Sequence, residues 1–478
     1  MLTGYRFRLY PTRAQAAILL RWIGCQRFIY NAKVGEDRYF RTFARKALQH
    51  AGMFAPVDGT YAQFITDETA WLREVPAQVL RNGAASWVTA YSRFFKKLGG
   101  RPKLKRKSGQ QSVWLTAELF RFEPAEGSYR FMVGTKKCPV GEIAYNAHRP
   151  HTPPASVRIT LEAERWYLSF STEDATILPD PQETADWLAD FGHAELTERA
   201  VGIDRGVAVP FMCSDGARYD LDDIQKARVA KKQAAARRWK KKLARRAKGG
   251  QNRRKAARRI AALHRYETDV RRDFEHQTSH RIIADPRTLL IVFEALGVQR
   301  MTRRPKAKQD ANGRWVRNGA CAKAGLNRSI LGAMWSRTKD CCAYKAQRAG
   351  KLVIDVPAHH TSQECSRCGY IHPENRMSQS AFLCQRCGHA ENADSNAATN
   401  IRNRGVARIR SGGYRETEKK RIRRMRKKQQ QVGGGSSEHT SVETMVSRAA
   451  GNGPALGSEK QKGGLARAAE TPTSTTEG

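Results

Sequence analysis

Along the chain the hydrophobic positions change their period repeatedly. In "YRFRLYP", residues 5–11, Tyr5, Phe7 and Leu9 alternate with Arg6 and Arg8, which predicts a strand ended by Pro11. Thr12 can cap a following helix in which Ile18, Trp22, Cys25 and Ile29 return to one face. Residues 37–74 carry no readable period. A second helix is predicted after Pro76, with Leu80, Ala84, Trp87, Tyr91 and Phe95 as its apolar stripe. "KKLGGRPKLKRK" then interrupts it with a basic Gly/Pro loop. Strand patterns return at 112–116, 129–134, 156–161 and 166–171, the last two spaced as a hairpin. Together with the first strand they would make a small antiparallel β-barrel with the helices inserted in it. "STEDATILPDPQETADW" reads as a polar linker.

From Ala200 the pattern is α/β. "AVGIDRGVAVPFMCSDGARY" reads as two buried strands joined by a tight turn, with Asp204 on the first. Residues 224–280 are helical and strongly basic, and "KGGQN" splits them into two helices. "RTLLIVFEAL" is a third buried strand ended by Glu294, and "KLVIDVPAHH" is a fourth that leads into a cysteine-rich segment. Beyond about residue 432 large apolar residues nearly vanish, so that tail is expected to be disordered.

Charge narrows the partner. The 478 residues carry a formal net charge of +41, and 40% of them are hydrophobic. A fold this cationic repels itself unless a polyanion binds. Nucleic acid fits better than a membrane surface, because each neutralised phosphate also releases a counterion. No apolar run approaches the length needed to span a bilayer. With no signal peptide opening the chain and ten cysteines that suggest metal binding rather than disulfides, a cytoplasmic, nucleoid-associated location is expected.

Three constellations carry chemistry. Cys365 and Cys368 are followed after fifteen residues by Cys384 and Cys387, a spacing that suits one structural Zn²⁺ held by four thiolates. Gly369 and Gly388 let the chain curl around the sulfurs. The remaining six cysteines fit no ligand spacing and are assigned to core packing. Asp204, Glu294 and Asp394 are acids at or beside apolar segments, where a carboxylate is costly unless it is paired or binds a cation. Three of them converging would hold Mg²⁺, as two ions, for phosphodiester hydrolysis. The basic helices, represented by Arg253, Arg254, Lys255, Arg258 and Arg259, have few acidic partners at helical spacing and suit phosphate contact. On the polar side of the second helix, Gln78, Arg81 and Asn82 are candidates for reading DNA base edges.

These features, in this order, resemble the TnpB family, RNA-guided endonucleases of insertion sequences related to compact type V CRISPR effector nucleases. The resemblance runs through most of residues 1–410. "YRFRLYPTRAQAAILLRWIGCQRFIYNAKV" is similar to the family's opening, "VGIDRGV" and "LLIVFEALGVQRM" to its first two nuclease motifs, "HHTSQECSRCGY" to its ribbon entry, and "ENADSNAATNI" to its third motif. The resemblance implies a first strand of a wedge-like barrel (1–11), a helical recognition module (12–105) and the rest of that barrel (106–185). A RuvC-like, RNase H-type nuclease domain (186–412) with an inserted zinc ribbon (360–391) and a basic, then disordered, tail (413–478) would follow. It implies catalysis by Asp204, Glu294 and Asp394, with a guide RNA and target double-stranded DNA as partners and one protein per RNA. A compact CRISPR effector, a nuclease-inactive DNA-binding repressor and a strand-joining transposase are the other readings. Two positions depart from the family pattern: Asn392 stands where many members have an acid, and Ala295 where a polar residue is common.

Overall fold

The computed structural model describes residues 2–53, 55–125, 128–174 and 176–415. The tail expected over 413–478 lies, from residue 416 on, outside the described residues. Strand β1 (Leu2–Tyr10) buries Phe7 and Leu9, while Arg6 lies 4.0 Å from the Tyr167 ring centroid. Thr12 then starts helix α1 (Arg13–Thr42) with a reciprocal cap: its side chain accepts from Gln15 N–H, and the Gln15 side chain accepts from its backbone. Trp22, Cys25 and Ile29 are buried as expected, whereas Ile18 is half-buried.

The helix continues through residues whose period could not be read, because its inner face there is charged. Fully buried Lys33 pairs with Glu36 and, at 2.9 Å, Asp58. Asp37, 5% exposed, accepts from Arg41 at 2.7 Å and from the Tyr91 hydroxyl. Buried charges are tolerated when paired in this way, and they carry no hydrophobic signature. A short helix α2 (Arg45–His50) leads through irregular chain to α3 (Ala77–Phe95), which packs Leu80, Ala84, Trp87 and Tyr91 inward. Phe95, expected in that stripe, is exposed at the last turn and leans on the rings of Tyr91 and Phe94.

The strands that follow are β2 (Gln111–Thr116), β3 (Phe120–Ala125), β4 (Ser128–Gly134), β5 (Pro139–Glu142), β6 (Ala144–Asn146), β7 (Ser156–Glu162) and β8 (Arg165–Glu173). They form a five-stranded sheet, β2-β7-β8-β1-β6, and a separate three-stranded sheet, β3-β4-β5. Both contribute to one core, but no ladder joins them, so the closed barrel expected from the sequence does not form among the described residues. Aromatic side chains fill the space between them. The rings of Tyr5, Phe7, Phe122, Tyr129, Tyr145 and Phe170 stand 5.1–6.0 Å from that of His151, holding the sheets a side chain's thickness apart.

The expected linker at 171–187 is a further correction. Its first residues extend β8, and Asp180 caps helix α4 (Pro181–Ala189), with proline at its first turn, where the missing N–H costs nothing. Ala185 and Leu188 anchor α4 in the second core. Helix α5 (His193–Glu198) precedes β9 (Ala200–Asp204), β10 (Phe211–Cys213) and β11 (Arg218–Tyr219). The basic helices α6 (Asp223–Ala244) and α7 (Gln251–Ala284) come next, then β12 (Leu290–Glu294), the short α8 (Val298–Met301) and a small hairpin of β13 (Lys308–Gln309) and β14 (Trp315–Val316). Helices α9 (Ala320–Gly332) and α10 (Trp335–Arg348) lead to β15 (Leu352–Val356). Last come β16 (Ala381–Leu383), β17 (Ala390–Asn392) and α11 (Ala393–Arg410).

The central sheet runs β11-β10-β9-β12-β15, with β9, β12 and β15 parallel, β10 antiparallel to β9, and β11 antiparallel to β10. Every residue of β12 is buried, since both faces are covered. One face packs against α7 and α10, the other against α4 and α11. Helix α11 crosses β9 so closely that a Cβ at Gly202 would stand 2.1 Å from the Ala398 carbonyl oxygen; only glycine fits there. Cys25, Cys213, Cys341 and Cys342 are buried core residues, but Cys321 is exposed and Cys138 half-buried, so the core assignment fails for those two. No helix among the described residues is long and apolar enough to cross a membrane.

Candidate active site

Strand topology brings two of the acids together. β9 and β12 pair through Ile203↔Phe293, so Asp204 and Glu294 stand side by side one step past the last rung. Asp394 lies in the first turn of α11, which crosses β9. All three line one polar cavity of about 240 Å³, along with Arg205, Arg376, Gln379 and Thr361. Burial pushes the carboxyls of Asp204 and Glu294 up, and neighbouring carboxylates push them further: Asp394 acts on Asp204, and Asp204 on Glu294. Arg376 Nη2 sits 3.7 Å from Asp394 Oδ1. Buried carboxylates facing one another across a polar cavity are the hard oxygen donors that Mg²⁺ takes.

The thiols are closer-knit. Sγ atoms of Cys365 and Cys387 are 3.7 Å apart, those of Cys368 and Cys384 3.6 Å, and all four lie within 4.8 Å of one another. Ligands about 2.3 Å from a tetrahedral Zn²⁺ stand at about this mutual spacing, so the four sulfurs fit that ion. Among the described residues they alone bring three or more such ligand atoms so close, so the three carboxylates taken together are spread wider than the four thiols.

The ribbon is stapled to α11 by side chains that the sequence reading passed over. Asn396, fully buried, donates to Glu364 O at 2.7 Å and accepts from Ser366 N–H at 2.9 Å. Asn400, 4% exposed, donates to Thr361 O and Glu364 O, and Arg404 reaches the Glu364 carboxylate at 2.5 Å. The first knuckle and the helix carrying Asp394 therefore hold each other. Asn392, noted as a departure, is the N-cap of α11: its side chain accepts from Asp394 N–H at 3.0 Å and Ser395 N–H at 3.3 Å. Arg376 comes from the segment between the two knuckles; one more arginine in a basic chain gave no signal in the sequence.

The proposed nucleic-acid contacts fare unevenly. Asn82 is 2% exposed and donates to Trp114 O and Thr116 Oγ1, so it ties α3 to β2 and cannot reach a base. Arg81 is ion-paired with Glu118 beside the same strand. Asn82 is a correction, and it arises because that part of the polar side of α3 faces a strand edge; Arg81 stays exposed. Gln78 stays half-exposed in a groove that also holds Lys136 and Lys137. On α7, Arg253 donates to Leu243 O and Arg246 O at the end of α6, a structural cap, and Arg258 lies 3.6 Å from Glu164. Arg254, Lys255 and Arg259 are exposed.

Comparison with known proteins agrees with this arrangement. Residues 1–34 match the IS605 OrfB family model described as "Helix-turn-helix domain", residues 190–304 the one described as "Probable transposase", and residues 335–401 "Cas12f1-like, TNB domain". The protein named "Putative RNA-guided DNA endonuclease InsQ" from Escherichia coli (strain K12) is 30% identical over 86% of this chain and 94% of its own. A "Putative RNA-guided DNA endonuclease" of Streptomyces pristinaespiralis is 28% identical over 84% of this chain and 89% of its own. A "CRISPR-associated endodeoxyribonuclease Cas12f1" of Sulfoacidibacillus thermotolerans is 32% identical over 42% and 45%. Since the match to InsQ runs through nearly the whole of both chains, this protein belongs to the TnpB family of RNA-guided DNA endonucleases.

Proposed function

We propose that this chain is the RNA-guided DNA endonuclease of a transposable element, cutting target DNA beside a short flanking motif by metal-dependent hydrolysis. The observation that carries the reading is the meeting of Asp204, Glu294 and Asp394, from three distant parts of the chain, in one polar cavity. The catalytic domain is RuvC-like, the β sheets of the N-terminal half form a wedge around the helical module, and the guide RNA pairs with one DNA strand. Base pairing then carries sequence, while the protein grips backbone and shape.

Asp204, Glu294 and Asp394 are the residues that would hold Mg²⁺, and Cys365, Cys368, Cys384 and Cys387 those that would hold Zn²⁺. Bound divalent cations supply an activated water and charge stabilisation at the leaving oxygen. The chain's own part is placement. Asp204 and Glu294 are fixed at the ends of paired parallel strands, and Asp394 is fixed by a helix clamped to the ribbon. Arg376 adds positive charge at the cavity where a phosphodiester would enter. Exposed Arg254, Lys255 and Arg259 suit backbone phosphates, and Gln78 suits the flanking motif. We infer a cytoplasmic, nucleoid-associated protein, one per RNA.

The test is to express the chain with its flanking locus, sequence the RNA that copurifies, and offer a plasmid carrying the matching target behind randomised flanks. The reading expects a bound structured RNA and Mg²⁺-dependent cutting at one flanking motif. Cutting without RNA, or no bound RNA, would contradict it.

A further inference from the structure

Arg205 directly follows Asp204, lines the acid cavity and is only 6% exposed. Its Nη2 donates to the backbone carbonyl of Glu294. The ladder explains why that carbonyl has no donor from β9. Successive residues of a strand turn their amides to opposite neighbours. Ala295 N–H turns to Val356 O on β15 at 2.8 Å, so the Glu294 carbonyl faces β9. There the pairing has already ended at Ile203↔Phe293. Leu296 N–H reaches the same oxygen at 3.1 Å from β12's own continuation, and the Arg205 side chain takes the place that a β9 donor would hold, bridging the two acid-bearing strands where they part.

Its charge is as informative as its bond. The guanidinium lies in the field of Glu294, Asp355 and Asp204, and 5.7 Å from the Phe293 ring centroid. Its Nε makes no hydrogen bond, and neither does Asp355 Oδ1, so the cation is not consumed by a two-pronged carboxylate pair. The other oxygen of Asp355 is held by Lys339. On the far side of the same loop, Trp335 Nε1 donates to Gly206 O at 3.0 Å. Residues 204–206 are thus gripped from both directions.

We propose that Arg205 is a positioning residue of the nuclease: it sets the spacing of Asp204 and Glu294 and supplies the fixed positive charge that keeps the acids together. This rests on the reading of the three acids as the catalytic set. A purely structural arginine and a charge-setting one make opposite predictions for cation binding. Loss of a structural brace loosens the site and weakens cation binding. Loss of a nearby fixed positive charge strengthens the attraction of the carboxylates for a divalent cation.

The experiment compares Arg205→Met and Arg205→Lys with wild type as full chains loaded with guide RNA and zinc. It measures Mn²⁺ bound by paramagnetic titration, after subtracting the signal of Asp394→Ala, together with single-turnover cleavage at saturating Mg²⁺. Arg205→Met is expected to bind Mn²⁺ about tenfold more tightly, because one nearby positive charge no longer opposes the cation. It should also cut about a hundredfold more slowly, as misplaced reacting groups do. Arg205→Lys keeps the charge but loses the planar fork, so Mn²⁺ binding stays near wild type while cutting slows about tenfold. Wild-type cutting by either variant, or unchanged or weaker Mn²⁺ binding by a folded Arg205→Met, overturns the proposal. If Arg205→Met retains neither zinc nor RNA, Arg205→Lys decides alone: slowed cutting with unchanged Mn²⁺ binding supports it, and any other result overturns it. Full cutting by Asp394→Ala would instead overturn the acid site itself.

Discussion

The four thiols come from one short stretch, residues 365–387, and close to within 4.8 Å, while the three carboxylates come from positions 204, 294 and 394 and stay wider. The thiol cluster is made by local chain: two turns, a hairpin and two of its sulfurs buried. The carboxylate cluster is made by topology, and it opposes the fold, since buried like charges repel. On the proposed reading, the thiols would add folding energy through Zn²⁺, whereas the carboxylates would cost stability until Mg²⁺ binds. They are coupled through α11, whose buried asparagines bind the first knuckle while its first turn carries Asp394.

The contrast can be broken at its strong end first. Cys384→Ser should lose zinc, measured as metal per protein, and unfold the ribbon, because structural zinc binding is worth on the order of 10 kcal/mol in small zinc peptides. Cleavage should fail with it, since the staple to α11 loses its partner. Asn400→Ala tests that coupling alone: zinc is retained, but cutting slows by about tenfold to a hundredfold, as expected when a residue behind a site is lost. Asn82→Ala should cost about 1–3 kcal/mol in unfolding experiments, the penalty for leaving buried partners unpaired, and leave flanking-motif preference unchanged. Gln78→Ala should change that preference without a stability cost, as sequencing of cleaved flanks would reveal. The smallest effect has the opposite sign. Asp204→Asn should stabilise the Mg²⁺-free protein by about 1 kcal/mol, the scale on which functional sites trade stability. A loss of stability there would end the contrast between supporting and straining ligands.

Much of this was legible because it depends on local period or spacing. The cysteine knuckles, the capping Thr12, the basic helices and the acid-ended strands β9 and β12 all announce themselves within a few residues. What stayed hidden depends on partners far along the chain. Lys33 and Asp37 look solvated until Asp58 and Tyr91 are placed against them. Asn396 and Asn400 look like a polar helix face until the ribbon folds onto it. Arg205 reads as one more cation in a basic protein until the ladder ends beside it. Alternating strands revealed sheets, but barrel closure is decided by edge pairing, and here bulky rings hold the two sheets apart.

On the proposed reading, the three acids form the cutting centre and do little else. Its most direct measurement is single-turnover cleavage and target-DNA binding, made on the same RNA-loaded preparations of wild type, Asp204→Ala, Glu294→Ala and Asp394→Ala. Each variant is expected to bind target as wild type does and to make no cut in Mg²⁺, because phosphate contacts elsewhere supply affinity. Substantial cutting by any one of them, or loss of target binding along with cutting, would contradict it.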